Sequence, residues 1–154
     1  MEAHIHQLNC SNGGVPKTPV PDAVLTPTGL RGDRQRYPVI HGGPERALCL
    51  YALERIEALQ AEGHPIYPGS VGENVTVSGL EWEQLKPGVR LALGDEVIVE
   101  ITSYAGPCKN IARSFLRGDS QRIKQQKHPG DSRVYARVLQ TGRLAVGQTV
   151  RVVE

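Results

Sequence analysis

The stretch from Val89 to Tyr104, V-R-L-A-L-G-D-E-V-I-V-E-I-T-S-Y, decides the fold class. Branched apolar residues occupy every second position on both sides of Gly94-Asp95, so the pattern predicts two strands joined by a tight turn. The alternation also sets the register of the hairpin, because a slip by one residue would turn its apolar face to water. Residues that follow this hairpin are therefore expected to hold fixed positions.

Similar short alternating runs occur around Val75, between residues 134 and 139, and at the end of the chain. They are separated by turns that draw on 17 glycines and 11 prolines. Residues 52–62 have the apolar spacing of a helix, whereas residues 46–51 fit either a strand or a helix. The sequence thus predicts one domain over residues 1–154, mainly β with a few helices (α+β), as a barrel or a strongly bent sheet.

Composition excludes several classes of function. A formal net charge of +2 and few aromatic residues give no case for nucleic-acid binding. Three cysteines without a C-x-x-C pair favour neither a disulfide framework nor a structural zinc site. No secretory signal and no apolar run of membrane-spanning length are visible, so we expect a cytoplasmic protein that does not bind a membrane.

Cys108 directly follows the hairpin and the Gly106-Pro107 break, and a helical pattern begins at Lys109. Such a corner offers the thiol the partial positive charge of a helix N-terminus, which favours the thiolate that attacks electrophiles and binds soft metals. The other interpretation is a small buried apolar residue, the commoner fate of a single cysteine. Local sequence does not decide between the two.

Three loops before the helix could contact a ligand. Lys17 closes the turn S-N-G-G-V-P-K and could hold an anion, although a hairpin with a solvated lysine explains the spacing better. The run Arg31–Arg36 could bind phosphate through its arginines, with a solvated loop slightly favoured. His41, beside two glycines, could lie against a ligand, although a lone histidine is more often a structural hydrogen-bonding group.

Two further segments are polar. Glu73 and Asn74 follow Gly72 between two turns and are candidates for hydrogen bonding at a site, while the turn role of Asn74 is the stronger local interpretation. Residues 121–131 are basic and fit solvated surface.

Taken together and in order, six motifs resemble the MOSC family, the domain found at the C-terminus of molybdenum-cofactor sulfurases. The resemblance runs from about Ser11 to Val152. The motifs are G-G-V-P-K (13–17), G-D (32–33), H-G-G-P (41–44), P-G-S-V-G-E-N-V-T-V-S-G (68–79), G-P-C (106–108) and Y-A-R-V-L-Q-T-G (135–142).

The resemblance implies a β-rich, barrel-like fold and a molybdenum-pterin cofactor. It implies that Cys108 is both the catalytic residue and the metal ligand, or a sulfur carrier. Lys17 and Arg137 match basic positions suited to the pterin phosphate. His41, Glu73 and Asn74 match motifs that shape the same pocket. No pyridoxal phosphate is expected from this chain's own residues.

Three functions follow from the resemblance and the residues. The first is a molybdenum-cofactor-dependent reductase of N-hydroxylated substrates such as hydroxylaminopurines or amidoximes, in which the metal does the redox chemistry. The second is a carrier that forms a persulfide on Cys108 and delivers its sulfur to a metal centre. The third is a non-catalytic binding module. The expected partners are a small-molecule substrate and a redox or sulfur-donor protein, and a homodimer stays open.

Overall fold

Strands account for most of the regular structure in the computed structural model of the chain, which describes residues 2–34 and 43–153. Within these residues the strands are, in chain order, β1 (His4–Cys10), β2 (Thr18–Val20), β3 (Asp22–Thr26), β4 (Gly29–Leu30), β5 (Leu48–Ala52), β6 (Val75–Ser78), β7 (Arg90–Leu93), β8 (Val97–Tyr104), β9 (Val134–Gln140), β10 (Gly142–Ala145) and β11 (Val150–Val153).

Eight of these strands form one sheet, in the order β11-β7-β8-β9-β5-β6-β1-β2, and β10, β3 and β4 form a second. Strands β5 and β6 are parallel, with Leu50 opposite Val75, and the other pairs named here are antiparallel. A parallel pair needs a crossover, and helix α1 (Leu53–Ala61) supplies it. As a result, the N-terminal ends of β5 and β6 lie side by side.

The large sheet bends so far that its two ends approach each other. His4 bridges Thr149, and the Val150 N–H donates to the Ala3 carbonyl over 2.9 Å. The second half of β1 pairs with β2 instead, so the contact with the β11 end does not extend into a ladder. The prediction of a mainly β fold with few helices is confirmed. The sheet is strongly bent and does not close into a barrel.

The hairpin that opened the sequence analysis is present as β7 and β8, with Leu93 opposite Val97. Val97, Val99 and Ile101 are buried in the core as the alternation predicts. The predicted helix of residues 52–62 is α1, which buries Ile56 and Leu59. Residues 48–51 of the ambiguous run belong to β5, all of whose residues are buried, whereas Arg46 ends a 3-10 helix, Pro44–Arg46.

The sequence predicts a helix after Cys108, but no α-helix forms there. The chain forms three short 3-10 helices, Lys109–Ser114, Leu116–Gly118 and Ser120–Ile123. Phe115 interrupts the run with extended backbone, because its buried ring packs edge-on against His64 with centroids 5.5 Å apart. Arg117 adopts a left-handed conformation, with φ +57°, which also prevents a continuous helix.

The core lies inside the bend of the large sheet, under α1 and the 3-10 segments. Trp82 packs edge-on against Tyr51, and its indole N–H donates to the Ser132 carbonyl over 2.8 Å. No helix among the described residues is long and apolar enough to cross a membrane.

Candidate functional site

A cleft of about 580 Å³, its open mouth included, lies beside the N-terminal ends of β5 and β6. Five separate segments of the described chain form its walls. They contribute Gly14, Val15 and Lys17; Arg46 and Cys49; Val71, Gly72 and Asn74; Cys108, Asn110 and Ile111; and Arg133 and Tyr135. Cys49 and Asn74 are neighbours there because β5 and β6 are parallel and their N-terminal ends lie side by side.

Cys108 lines the cleft and is half-buried. It lies just beyond β8, and its carbonyl accepts hydrogen bonds from the Ile111 N–H and the Ser120 hydroxyl, each over 3.3 Å. Cys49 also lines the cleft but is buried, and burial raises the pKa of its thiol to about 11. The corner thiol is therefore the more accessible of the two cysteines in the cleft.

Lys17 reaches the cleft with its charge already paired. Its Nζ lies 2.7 Å from Asp33 Oδ1, and the two side chains are only 7% and 4% exposed. Asp33 comes from the run Arg31–Arg36, for which the sequence slightly favoured a solvated loop over an anion-binding one. In the described part of that loop, Asp33 forms an ion pair with Lys17.

Asn74 ties three parts of the site together. Its side-chain oxygen accepts from the Cys49 N–H over 3.0 Å, and its Nδ2 donates to Asp33 Oδ2 over 2.9 Å and to the Asn9 carbonyl over 3.3 Å. Gly72 beside it has φ +83°, and a Cβ there would lie 2.9 Å from Val15 Cγ1. The G-E-N turn thus lets the 13–17 loop pack closely against β5 and β6.

Glu73 does not line the cleft; its side chain is fully buried behind the wall. One carboxylate oxygen, Oε2, accepts a hydrogen bond from the Thr76 hydroxyl over 3.0 Å. The other oxygen, Oε1, has no hydrogen-bond partner among the described residues. Burial raises the pKa of Glu73 to about 7, while hydrogen bonds and the positive charge of Arg133 act in the opposite direction.

Arg133 is a buried cleft residue that the sequence analysis did not single out. It is only 6% exposed, and its guanidinium donates to two carbonyls, that of Val71 over 2.8 Å and that of Gly106 over 3.1 Å. Among the described residues, its buried Nε has no hydrogen-bond partner, and no carboxylate forms an ion pair with it. A buried arginine held by carbonyls keeps a full positive charge in the cleft wall.

Arg137, the arginine chosen from the sequence, lies outside the cleft. It is four residues farther along β9, is 41% exposed, and forms an ion pair of 2.6 Å with Glu100. Arg133, Tyr135 and Arg137 are spaced two residues apart, so their side chains lie on the same side of the strand. The sequence analysis therefore identified the correct face of the strand but not the correct position along it. An arginine directly before the alternating run was the available signal.

Arg46, Tyr135 and Asn110 also line the cleft and were not singled out from the sequence. The Arg46 guanidinium lies over the Tyr135 ring, 5.4 Å from its centroid. Burial raises the pKa of the Tyr135 hydroxyl to about 12, so it stays protonated near neutral pH. His41 lies outside the described residues, and the prediction made for it is not addressed by this geometry.

The cleft combines one accessible thiol, a buried guanidinium and amide groups. Within residues 2–34 and 43–153, no group of three or more His, Cys, Asp or Glu side chains could hold a metal ion. What the walls offer is a single soft ligand beside a positive charge, an arrangement suited to an anionic ligand with a reactive or soft centre.

Comparison with known proteins agrees with the motif order. The model of the MOSC domain matches residues 38–151. The protein YflK of Bacillus subtilis (strain 168) is 33% identical over 136 residues, which are 87% of this chain and 60% of YflK. A protein named "Reductase" from Gibberella moniliformis (strain M3125 / FGSC 7600) is 30% identical over 131 residues, which are 82% of this chain and 23% of that protein.

The crystal structure of YiiM from Geobacillus stearothermophilus superposes with a TM-score of 0.79 at 26% identity, over 99% of this chain and 75% of that one. The chain therefore spans only 60% and 23% of the two sequence relatives, although the solved fold accounts for nearly all of it. With the family model matching most of its length and the fold agreeing, the chain belongs to the MOSC domain family.

Proposed function

We propose that the chain binds a molybdenum-pterin cofactor in this cleft, with Cys108 as a metal ligand, and reduces N-hydroxylated substrates. One observation carries the proposal: the half-buried thiol of Cys108 shares a cleft with the buried Arg133, which no described carboxylate pairs. The name of the Gibberella relative supports a redox role.

The residues present fit such a group. A thiolate is a soft ligand for a metal already held by dithiolene sulfurs, so one cysteine is sufficient from the protein. Arg133 lines the open cleft without an ion pair to a described carboxylate, and this charge suits an anionic group such as the pterin phosphate. Lys17 adds a donor to the cleft, although Asp33 shares it. Arg133 takes the role that the sequence suggested for Arg137.

When bound, the cofactor would supply the electrons for cleavage of the N–O bond. The overall reaction converts R–NHOH, two electrons and two protons into R–NH₂ and water. The protein residues bind and orient: Arg133 holds negative charge at the cleft wall, and the Asn110 amide can orient a polar substrate group. The Tyr135 hydroxyl, which stays protonated, belongs to a residue of the same cleft wall. The electrons would come from a redox partner protein.

Metal and pterin analysis tests the proposal. Protein from a cofactor-producing host should contain molybdenum and pterin, and Cys108→Ser should lose the metal or change its sulfur coordination by X-ray absorption. Cys10→Ser is the matched control, because Cys10 is also half-buried but does not line the cleft. Equal absence of molybdenum and pterin from the wild type and both variants would contradict the proposal.

The partial exposure of Cys108 in an open cleft also favours the second candidate, a persulfide carrier. A carrier requires that Cys108 be alkylated faster than Cys10 and Cys49 near neutral pH. Equal rates would exclude this function. The third candidate, an inert module, required a thiol enclosed by apolar side chains with no cleft beside it, and the cleft at Cys108 argues against that arrangement.

A further inference from the structure

Two buried side-chain atoms of the described residues have no hydrogen-bond partner, Glu73 Oε1 and Arg133 Nε. They belong to groups of opposite charge: Arg133 lines the cleft, and Glu73 is fully buried and does not line it. Arg133 Nη1 donates a hydrogen bond to the Val71 carbonyl. Because Val71 is only two residues before Glu73, this bond ties the guanidinium to the segment that carries the carboxyl group. The pair is close enough for the arginine to stabilise the ionised carboxylate, but no ion pair forms.

The surroundings make Arg133 the dominant charge near Glu73. From β5, Cys49 and Tyr51 interact with the carboxylate, and both are neutral at physiological pH because burial raises their pKa values. From β6, the Thr76 hydroxyl donates to it. Lys17 and Asp33, which also act on Cys49, neutralise each other. Arg133 is thus the cation available to both the buried carboxylate and a ligand in the cleft.

We propose that anion binding in the cleft is coupled to protonation of Glu73, so that this buried carboxyl group sets the affinity of the anion site. The inference rests on the proposed function in one respect, that Arg133 holds an anionic group of the ligand. It adds a control on that site by a residue that does not touch the ligand.

The sign of the coupling follows from electrostatics. An ionised Glu73 offsets the charge of Arg133 and repels an incoming anion, whereas a protonated Glu73 leaves the full charge of Arg133 to the ligand. Because burial brings the pKa of Glu73 to about 7, both forms are populated near neutral pH. Anion binding should therefore take up a proton and weaken as the pH rises.

Sulfate is a suitable probe, because its charge does not change near neutral pH. We expect its Kd for the wild-type protein, measured by calorimetry, to rise about fivefold between pH values one unit below and one unit above the Glu73 pKa of about 7, with about tenfold as the limit if sulfate binds only the protonated form. Glu73→Gln imitates the protonated acid, so its Kd should stay near the low-pH value throughout. A parallel pH dependence in both proteins would overturn the inference.

A second measurement needs no variant of Glu73. Sulfate binding to the wild type near pH 7, measured in two buffers of different ionisation enthalpy, should show net uptake of a fraction of a proton. No uptake would overturn the coupling. Arg133→Gln should weaken binding at least tenfold, with Arg46 and Lys17 still in the cleft, whereas Arg137→Gln, outside the cleft, should leave it unchanged.

The failures are distinguishable. Absence of sulfate binding, or binding that Arg133→Gln does not weaken, contradicts the anion site on which the proposed function also depends. Sulfate binding that requires Arg133 but shows neither pH dependence nor proton uptake contradicts the role of Glu73 alone.

Discussion

Arg133 in the cleft and Arg122 on the outer face are both held by hydrogen bonds, but by opposite kinds of partner. Arg122, 22% exposed, forms two bonds of 2.9 and 2.8 Å to Glu62 and one of 2.6 Å to Asp131. Arg133 is almost fully buried and bonds only to carbonyls among the described residues. On the outer face acids neutralise the cation, and in the cleft the backbone orients it without neutralising it.

The outer network has a structural purpose. Asp131 also lies 3.5 Å from Arg55 of α1, and Arg55 reaches Glu83, so these charges fasten residues 120–131 onto the helix. The basic stretch that the sequence suggested was solvated surface is in part paired. The difference between the two regions is that paired charge holds segments together, whereas unneutralised buried charge is available to a ligand.

The largest expected effect concerns the one cleft cation that is paired. Asp33→Asn leaves Lys17 buried beside a neutral amide, which should cost about 3–5 kcal/mol of unfolding free energy in urea. Lys17→Met combined with Asp33→Asn should recover part of the loss, because no charge is then left buried without a partner. Additive losses in this double-mutant cycle would show that the two side chains act independently.

The next effect distinguishes the cleft from the outer face by pH. The pKa of Glu73 is raised from 4.5 to about 7, so ionisation of this buried group opposes folding. Below about pH 4.5 Glu73 is protonated in both states and does not reduce the free energy of unfolding. As the pH rises from 4.5 through 7, the free energy of unfolding falls. The loss amounts to about 3 kcal/mol. Glu73→Gln should remove this slope, so the variant should exceed the wild type in stability at pH 8 and match it at pH 4.5 in urea titrations. Equal slopes would contradict the assignment to Glu73.

The smallest effect belongs to the outer face. Arg122→Gln removes ion pairs that water partly screens, and we expect a loss of about 1 kcal/mol. High salt should reduce the difference between variant and wild type, because exposed charges are screened over a Debye length. A loss as large as that of Asp33→Asn would mean that the 120–131 segment is held far more tightly than its exposure implies.

The strands were predictable where one face is buried against the core. In β8 the alternation of Val97, Val99 and Ile101 was sufficient, because burial on one side of a sheet imposes a period of two. In β5 the apolar run is buried on both sides, which removes the alternation and left strand and helix equally plausible. The 3-10 segments after Cys108 could not be foreseen, because they depend on the packing of Phe115 against His64.

At the candidate site, the sequence identified residue types better than positions. Cys108, Lys17 and Asn74 line the cleft, and Glu73 lies behind it. The choice of Arg137 over Arg133 shows the limit: periodicity identifies the face of a strand, and only the tertiary arrangement shows which end of that face the cleft covers. The pairing of Lys17 with Asp33 is likewise a long-range contact that spacing does not encode.

The cleft draws its walls from five segments between residues 14 and 135, and this has a thermodynamic consequence. No partly unfolded form that loses one of these segments retains the complete site, so a ligand that touches all five walls binds only the fully folded chain. A concentration one hundred times its Kd then adds about 2.7 kcal/mol to global stability. The melting temperature of the whole molecule therefore reports on occupancy of this one cleft.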